Sequence, residues 1–145
     1  AASGISAMAL LLPAAPASAD PPEGGAVTLN FENVRNARGM LRVCLTTNPR
    51  AFPDCSRDSH ARTLSVPATA TSARFEGLAA GTYAVSLIHD ENGNGRMDMA
   101  LVMPREGFGF SRNPRIGMGP PRFDAAAFAV GTAPVSQTVR VRYML

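Results

Sequence analysis

The sequence predicts an all-β fold, a single antiparallel β-sandwich of about seven short strands with one long loop and at most a short helical turn. Two observations support this prediction. Short segments alternate between apolar and polar residues with the two-residue period of half-buried strands. Gly, Pro, Asn and Asp residues, which favour turns, separate these segments along the chain.

Residues 1–19 are predicted to be a secretory signal peptide that lacks its basic start. The apolar run from Ser6 to Pro13 is followed by Ala17-Ser18-Ala19, a small-residue cleavage pattern. The run is shorter than the roughly 20 residues that span a bilayer, so no membrane span is predicted. Residues 20–145 then form one domain, which we expect in the periplasm or outside the cell.

The strand predictions follow from alternation. Apolar residues alternate with polar ones over residues 27–31 and 41–45, and these two strands are predicted to pair as a hairpin. Residues 83–88 carry small or apolar side chains on both faces, which is typical of a central strand. The remaining predicted elements are strands at 64–66, 71–75 and 137–143, a Gly/Pro/Arg-rich loop at 99–122, and a helical turn at 123–128.

The two cysteines, Cys44 and Cys55, are predicted to form a disulfide, because the chain has the features of an exported protein. Leu41, Val43 and Leu45 share one face of their strand, so Cys44 points to the other face and can reach the loop that holds Cys55. Metal or redox chemistry is not favoured, since the sequence has no C-x-x-C spacing.

The charge pattern does not predict nucleic-acid binding. The formal net charge is +3, and all 14 basic residues are arginines. They are dispersed along the chain, whereas a nucleic-acid site would cluster them with aromatic residues. We therefore expect no nucleic-acid partner.

A run of oxygen-bearing side chains and glycines, residues 90–98, follows directly on the central strand, and we call it the Asp90 loop. In an EF-hand calcium loop, positions 1, 3 and 5 supply side-chain oxygens, position 6 is glycine and position 7 supplies a carbonyl oxygen. This chain has suitable residues at those positions and an acidic residue at position 9, in the order Asp90, Asn92, Asn94, Gly95, Arg96 and Asp98. The pattern predicts a Ca²⁺ site.

The second half of the calcium pattern is absent. Position 12 is Leu101 instead of the bidentate Glu, so the predicted affinity is weak, about 10⁻⁴ to 10⁻³ M. Glu106 or Glu91 would have to complete the ligand shell. The alternative is a structural loop, in which Asn and Asp side chains bond to their own backbone and Gly93 and Gly95 supply positive φ angles.

His89 precedes the Asp90 loop, and we favour a hydrogen-bonded histidine that anchors the loop over a metal ligand or general base. A hydrolase would need a paired carboxylate in a shielded pocket, and His89, Asp90 and Glu106 are the candidates for it. The sequence contains no nucleophile elbow, zinc-protease helix or phosphate-binding glycine loop. A non-enzymatic protein is therefore favoured.

The segment from Pro104 to Ser111 alternates glycine with phenylalanine, and glycine allows close backbone approach. We predict that it folds back over the Asp90 loop and that Phe108, Phe110 and Ser111 have structural or binding roles there. Whether Glu106 returns to the loop decides the role of the site.

Three blocks carry a family resemblance: HDENGNGRMD at 89–98, PREGFGFS at 104–111 and PRFDAAAF at 121–128. Together they resemble the bacterial exported family known as domain of unknown function 2141. Residues 75–87 also resemble the strand-turn-strand signature of carboxypeptidase-regulatory-like and transthyretin-like β-sandwiches. The resemblance implies an immunoglobulin- or transthyretin-like sandwich and an exported location, without an activity.

The sequence thus predicts an exported module that binds an unidentified protein or small molecule, with a weak Ca²⁺ site or a structural site in the Asp90 loop. One alternative is an uncharacterised hydrolase that uses Asp90, Glu106 and His89. The other is a purely structural accessory domain. The pattern specifies neither the partner nor the oligomeric state.

Overall fold

The computed structural model describes residues 2–13, 23–97, 99–100 and 103–145. It confirms the all-β sandwich, and it also confirms a helical turn after Arg122. Residues 2–13 are exposed and have no regular secondary structure, while the predicted cleavage pattern at 17–19 lies outside the described residues. The elements are β1 (Gly25–Glu32), β2 (Met40–Thr46), a 3₁₀ turn (Cys55–Arg57), β3 (Arg62–Pro67), β4 (Ser72–Leu78), β5 (Gly81–Asp90), β6 (Met99–Ala100), β7 (Met103–Pro104), β8 (Gly107–Phe110), α1 (Phe123–Ala126), β9 (Phe128–Val130) and β10 (Val135–Arg140).

The strands form two sheets that enclose the main core. The first sheet has the strand order β10-β1-β4, and the second has the order β3-β2-β5-β8, with β9 pairing with the start of β5. Strands β6 and β7 pair with each other. The alternating apolar residues face inward as predicted and form one cluster that includes Leu29, Leu41, Leu45, Leu87, Val139 and Val141. Strand β5 lies between β2 and β8 in the second sheet, as predicted for a central strand.

The predicted hairpin between the first two strands is wrong. Strand β1 pairs in parallel with β10 and antiparallel with β4, whereas β2 pairs with β3 and β5. The connection after β1 crosses to the other sheet, and Asn33 holds it there by donating a 2.8 Å hydrogen bond from its side chain to the carbonyl of Val141. Alternation shows that a segment is a strand but does not encode which strand it pairs with, so sequence order suggested the wrong partner.

Strand β8 lies inside the segment that was predicted as a long loop. Its four residues are all buried, and it pairs with the end of β5. Glycines alternate with phenylalanines because the end of β10 and the chain after it pass close by. A Cβ on Gly107 would overlap Val141 and Tyr143, and one on Gly109 would overlap Val139. The segment therefore alternates as a strand does, but glycines occupy the positions that face Val139 and Val141, where apolar side chains would be expected.

Phe108 and Arg142 join the two sheets. Each donates its backbone N–H to the carbonyl of the other, at 3.0 and 2.8 Å. The chain after β10 therefore runs alongside β8, and residues 141–143 lie next to the end of β5. This junction brings Tyr143 to His89.

A second apolar cluster covers the outer face of the second sheet. It contains Phe52, Ala84, Phe108, Phe110, Phe123 and Ala126. Ala84 alternates with the core residues Tyr83 and Val85, so this cluster lies on the opposite side of β5 from the main core. Phe52 comes from the loop that the disulfide ties down.

The predicted disulfide is confirmed. Cys44 and Cys55 are bonded, with their Cα atoms 5.7 Å apart, and Leu41, Val43 and Leu45 face the core as predicted. The bond fixes the loop after β2 against the outer face of the sheet. Among the described residues, no helix has the length and apolar character needed to cross a membrane.

Candidate functional site

Asp90 is the last residue of β5, and its side chain is fully buried. Its Oδ2 atom accepts hydrogen bonds from Arg42 Nε at 2.6 Å and from the Gly95 amide at 2.7 Å. Its Oδ1 atom accepts from the Asn94 amide at 3.1 Å. Burial alone would raise the pKa of this carboxyl, but the Arg42 hydrogen bond and the two backbone donors outweigh it and lower the pKa below its ordinary value of 3.8.

Hydrogen bonds between residues close in sequence stabilise the turns in the rest of the Asp90 loop. Asn92 Oδ1 accepts from the Asn94 amide at 3.2 Å, and Asn94 Oδ1 accepts from the Arg96 amide at 3.0 Å. Gly93 and Gly95 have φ angles of +69° and +80°, which glycine adopts without strain. Residues 92–96, the tip of the loop, are exposed. Asp98, the candidate ligand at position 9, lies outside the described residues.

His89 is fully buried between the Asp90 loop and the end of the chain. Its Nε2 atom lies 2.8 Å from the carbonyl oxygen of Arg38, and its Nδ1 atom lies 2.8 Å from the Tyr143 hydroxyl. A carbonyl can only accept, so Nε2 carries a proton, and in the neutral imidazole Nδ1 accepts from the hydroxyl. The Tyr143 oxygen in turn accepts from the Arg35 amide at 3.0 Å. His89 therefore ties three chain segments together.

Glu91 lies beside this network and pairs with two arginines. Arg35 Nε is 2.6 Å from Glu91 Oε1, and Arg38 Nη2 is 3.4 Å from Oε2. The hydrogen bond from Arg35 lowers the pKa of Glu91 below its ordinary value of 4.5, and the same bond raises the pKa of Arg35. The Arg35 guanidinium also lies over the Tyr143 ring, 4.3 Å from its centroid.

Glu106 does return to the Asp90 loop. It is 5% exposed, and its Oε2 atom accepts a 2.6 Å hydrogen bond from the backbone amide of Glu91. The segment from Pro104 to Ser111, which we call the Gly-Phe segment, is therefore held at the start of the loop. Glu106 and Asp90 bond to different amides of the loop.

The other residues singled out in the Gly-Phe segment have packing roles. Phe108 and Phe110 belong to the outer apolar cluster. Ser111 is fully buried, and its hydroxyl accepts from the Val85 amide at 2.9 Å and donates to the Ala126 carbonyl at 2.6 Å. These contacts fix the segment after β8 against β5 and α1.

Four arginine and tyrosine residues that sequence reasoning missed complete the site: Arg35, Arg38, Arg42 and Tyr143. They come from β2, the connection before it and the end of the chain. The sequence carries no local signal for them, because each reaches the loop or His89 from a segment that is distant in the sequence.

Two properties of the whole site follow. Among the described residues, every buried side-chain nitrogen or oxygen has a hydrogen-bond partner, and no three His, Cys, Asp or Glu side chains are grouped as metal ligands would be. The acidic side chains lie beneath the surface: Asp90 is 0% and Glu91 14% exposed, whereas Arg38 is 73% exposed. Among the described residues, these two carboxylates are therefore much less exposed than the Arg38 guanidinium.

The family comparison agrees with the blocks around this site. Residues 29–138 match the family described as an uncharacterized protein conserved in bacteria, domain of unknown function 2141. The chain belongs to this family. No curated protein and no solved structure matches it.

Proposed function

We propose that this chain is an exported, non-catalytic binding module whose partner contacts the end of the sandwich formed around the Asp90 loop. The observation that carries the proposal is the way the loop is held. Its buried base is bonded to Arg42, and its tip, residues 92–96, is exposed. A loop that is already ordered loses less conformational entropy on binding, and rigid scaffolds commonly present such loops to partners.

The hydrogen-bond partners of the candidate catalytic residues favour binding over hydrolysis. His89 bonds to Tyr143 and to the Arg38 carbonyl, while Asp90 pairs with Arg42. Glu106 accepts from the Glu91 amide. A hydrolase needs a general base within reach of its substrate. These three side chains instead bond to the protein's own backbone and to the side chains of Arg42 and Tyr143.

The surface charge supports a partner with acidic groups. Arg38, Arg96 and Arg105 are exposed at this end. The carboxylates of Asp90 and Glu106 are buried, and that of Glu91 is 14% exposed. Arg35 donates to the Arg105 carbonyl at 3.4 Å, and both Arg35 and Arg38 bond to Glu91, so these residues are neighbours. Such a surface would attract a protein or small molecule that carries carboxylates or phosphates. The Cys44–Cys55 disulfide supports an oxidising, exported location.

Photocrosslinking in the producing bacterium tests the proposed face. A photoreactive amino acid is placed at Arg96, and in a matched variant at Thr132, which is exposed at another turn. We expect a discrete crosslinked product from position 96 and none from position 132. Equal labelling at both positions, or none at position 96, would contradict the proposal.

We also propose Ca²⁺ as a weak ligand of the same loop. The amides of Asn94 and Gly95 already point to the Asp90 carboxylate, and the Asn92 and Asn94 side-chain oxygens follow at the spacing of a calcium loop. Arg42, 2.6 Å from Asp90 Oδ2, opposes a second cation there. The affinity should therefore lie at the weak end of about 10⁻⁴ to 10⁻³ M or beyond it.

A further inference from the structure

The tip of the Asp90 loop contains both Asn-Gly steps of the sequence, Asn92-Gly93 and Asn94-Gly95. All four residues are exposed. Glycine after asparagine leaves the backbone nitrogen sterically open to the asparagine side chain, because no Cβ shields it. The two steps share composition and exposure, and they differ in how the backbone is held.

The two glycine amides are held very differently. The Gly95 N–H donates at 2.7 Å to Oδ2 of the buried Asp90 carboxylate. The Gly93 N–H donates at 3.3 Å to the Asp90 carbonyl, a longer and uncharged interaction. Charge-assisted hydrogen bonds are roughly twice as strong as neutral ones, so the Gly95 nitrogen is the more firmly engaged.

We propose that Asn92 is a site of spontaneous deamidation and that the Asp90 carboxylate protects Asn94 from the same reaction. The Gly93 nitrogen attacks Cγ of the Asn92 carboxamide and loses its proton to hydroxide. The new C–N bond closes a succinimide ring, and the bond from Cγ to Nδ2 breaks as ammonia leaves. Water then opens the ring at either carbonyl, giving aspartate or isoaspartate, so the net change is asparagine plus water to an acid plus ammonia.

The same attack at Asn94 requires the Gly95 nitrogen to leave the Asp90 carboxylate and to lose a proton next to a negative charge. Both requirements slow the reaction. Asp90 is buried and paired with Arg42, so it does not move away from Gly95 easily. The protection therefore comes from the same contacts that order the loop.

The product changes what the loop can bind. Aspartate at position 92 places a second carboxylate in the Asp90, Asn92, Asn94 series and adds one negative charge at the exposed tip. More ligand charge raises calcium affinity in loops of this type. Isoaspartate instead lengthens the backbone between Asp90 and Asn94, which disrupts the hydrogen bonds that wind the loop.

Peptide mapping by mass spectrometry tests the proposal. Folded protein is incubated at mildly alkaline pH with a chelator, and a second sample is incubated in urea with the disulfide reduced. Fragmentation spectra assign the mass gain of amide-to-acid conversion to Asn92 or Asn94. In the folded protein we expect Asn94 to react at least about tenfold more slowly than Asn92, the effect of one charge-assisted hydrogen bond. In urea the two rates should agree within about twofold, because the protecting contact is gone.

Two variants sharpen the result. Asn92→Gln should abolish the fast reaction and leave the slow one at Asn94. Asp90→Asn should accelerate deamidation at Asn94, and if this variant does not fold, the comparison with urea still decides. Equal rates at both sites in the folded protein, a faster reaction at Asn94, or no reaction at Asn92 would each overturn the proposal.

Discussion

Arg42 Nε lies 2.6 Å from Asp90 Oδ2 and joins the middle of β2 to the last residue of β5. The two strands are neighbours, with Met40 opposite Asp90 and Arg42 opposite Ile88, so the guanidinium reaches the carboxylate diagonally across the sheet. The same carboxylate also accepts from the Gly95 and Asn94 amides. One partly buried ion pair therefore links the sheet to the loop.

Replacing Arg42 should destabilise the protein. Arg42→Gln leaves the buried Asp90 carboxylate without its cation, and we expect the free energy of unfolding to fall by about 2 kcal/mol, a value reduced because Arg42 is one-third exposed. Urea unfolding at neutral pH measures the change. Arg57→Gln, at an exposed position on the 3₁₀ turn, should change it by less than about 0.5 kcal/mol. Equal effects of the two substitutions would contradict the structural role of the pair.

Stability should fall on acidification through Asp90 and Glu91. Both carboxyls have pKa values lowered in the folded state from ordinary values of 3.8 and 4.5. The unfolded chain therefore takes up protons first, and the stability from these groups is complete above those values and is lost as pH falls through the folded-state pKa values. Thermal melts from pH 7 down to about pH 3 should show this loss.

The Arg42→Gln variant provides the control for the pH dependence. Without the guanidinium the pKa of Asp90 is less depressed, so the stability difference between wild type and variant should shrink as the pH falls. A difference that stays constant over the whole range would show that Asp90 does not titrate through this contact.

Two glycines with the same backbone angle separate steric contact from backbone strain. Gly39 and Gly93 both have φ of +69°, but a Cβ on Gly39 would overlap the Asp90 carbonyl oxygen, whereas Gly93 has open space around its Cβ position. Gly93→Ala should cost about 1 kcal/mol, the strain of a left-handed residue. Gly39→Ala should cost about 2–4 kcal/mol, since overpacking adds to that strain. Similar losses for both variants, measured by urea unfolding, would contradict the close approach of residue 39 to the loop.

Calcium titration tests the proposed ligand. Isothermal titration of the wild type should show binding no tighter than about 10⁻⁴ M, and Arg42→Gln should bind about tenfold more tightly, because a competing positive charge is removed. Thermal melts with and without calcium provide a second readout. The absence of heat and of a thermal shift at millimolar calcium in both proteins would sink the calcium proposal.

The local parts of this structure could be predicted from the sequence. Alternation identified β1, β2, β5 and β10, and the Asn and Gly spacing indicated a loop wound by its own side chains, in which bonds join residues two to five positions apart. The disulfide followed from the number and facing of the cysteines. Each of these features depends on residues that are close in sequence.

The contacts that hold the loop could not be predicted, because they depend on strand pairing. Arg42 is 48 residues from Asp90, and Tyr143 is 54 residues from His89. The crossing of the chain between the two sheets after β1 decides both neighbours, and only an asparagine and a glycine mark this crossing in the sequence. The sequence indicates Glu106 as a site residue only because its segment can approach the Asp90 loop closely. That Glu106 accepts a hydrogen bond from the Glu91 amide is seen only in the structure.

Amide hydrogen exchange at Gly95 is the measurement that tests the central claim most directly, because that claim is a loop held in advance by the buried Asp90 carboxylate. By NMR, the Gly95 amide should exchange at least about tenfold more slowly than the Gly93 amide in the wild type, and Arg42→Gln should reduce this difference. A Gly95 amide that exchanges in the folded wild type as fast as an unstructured one would contradict the account.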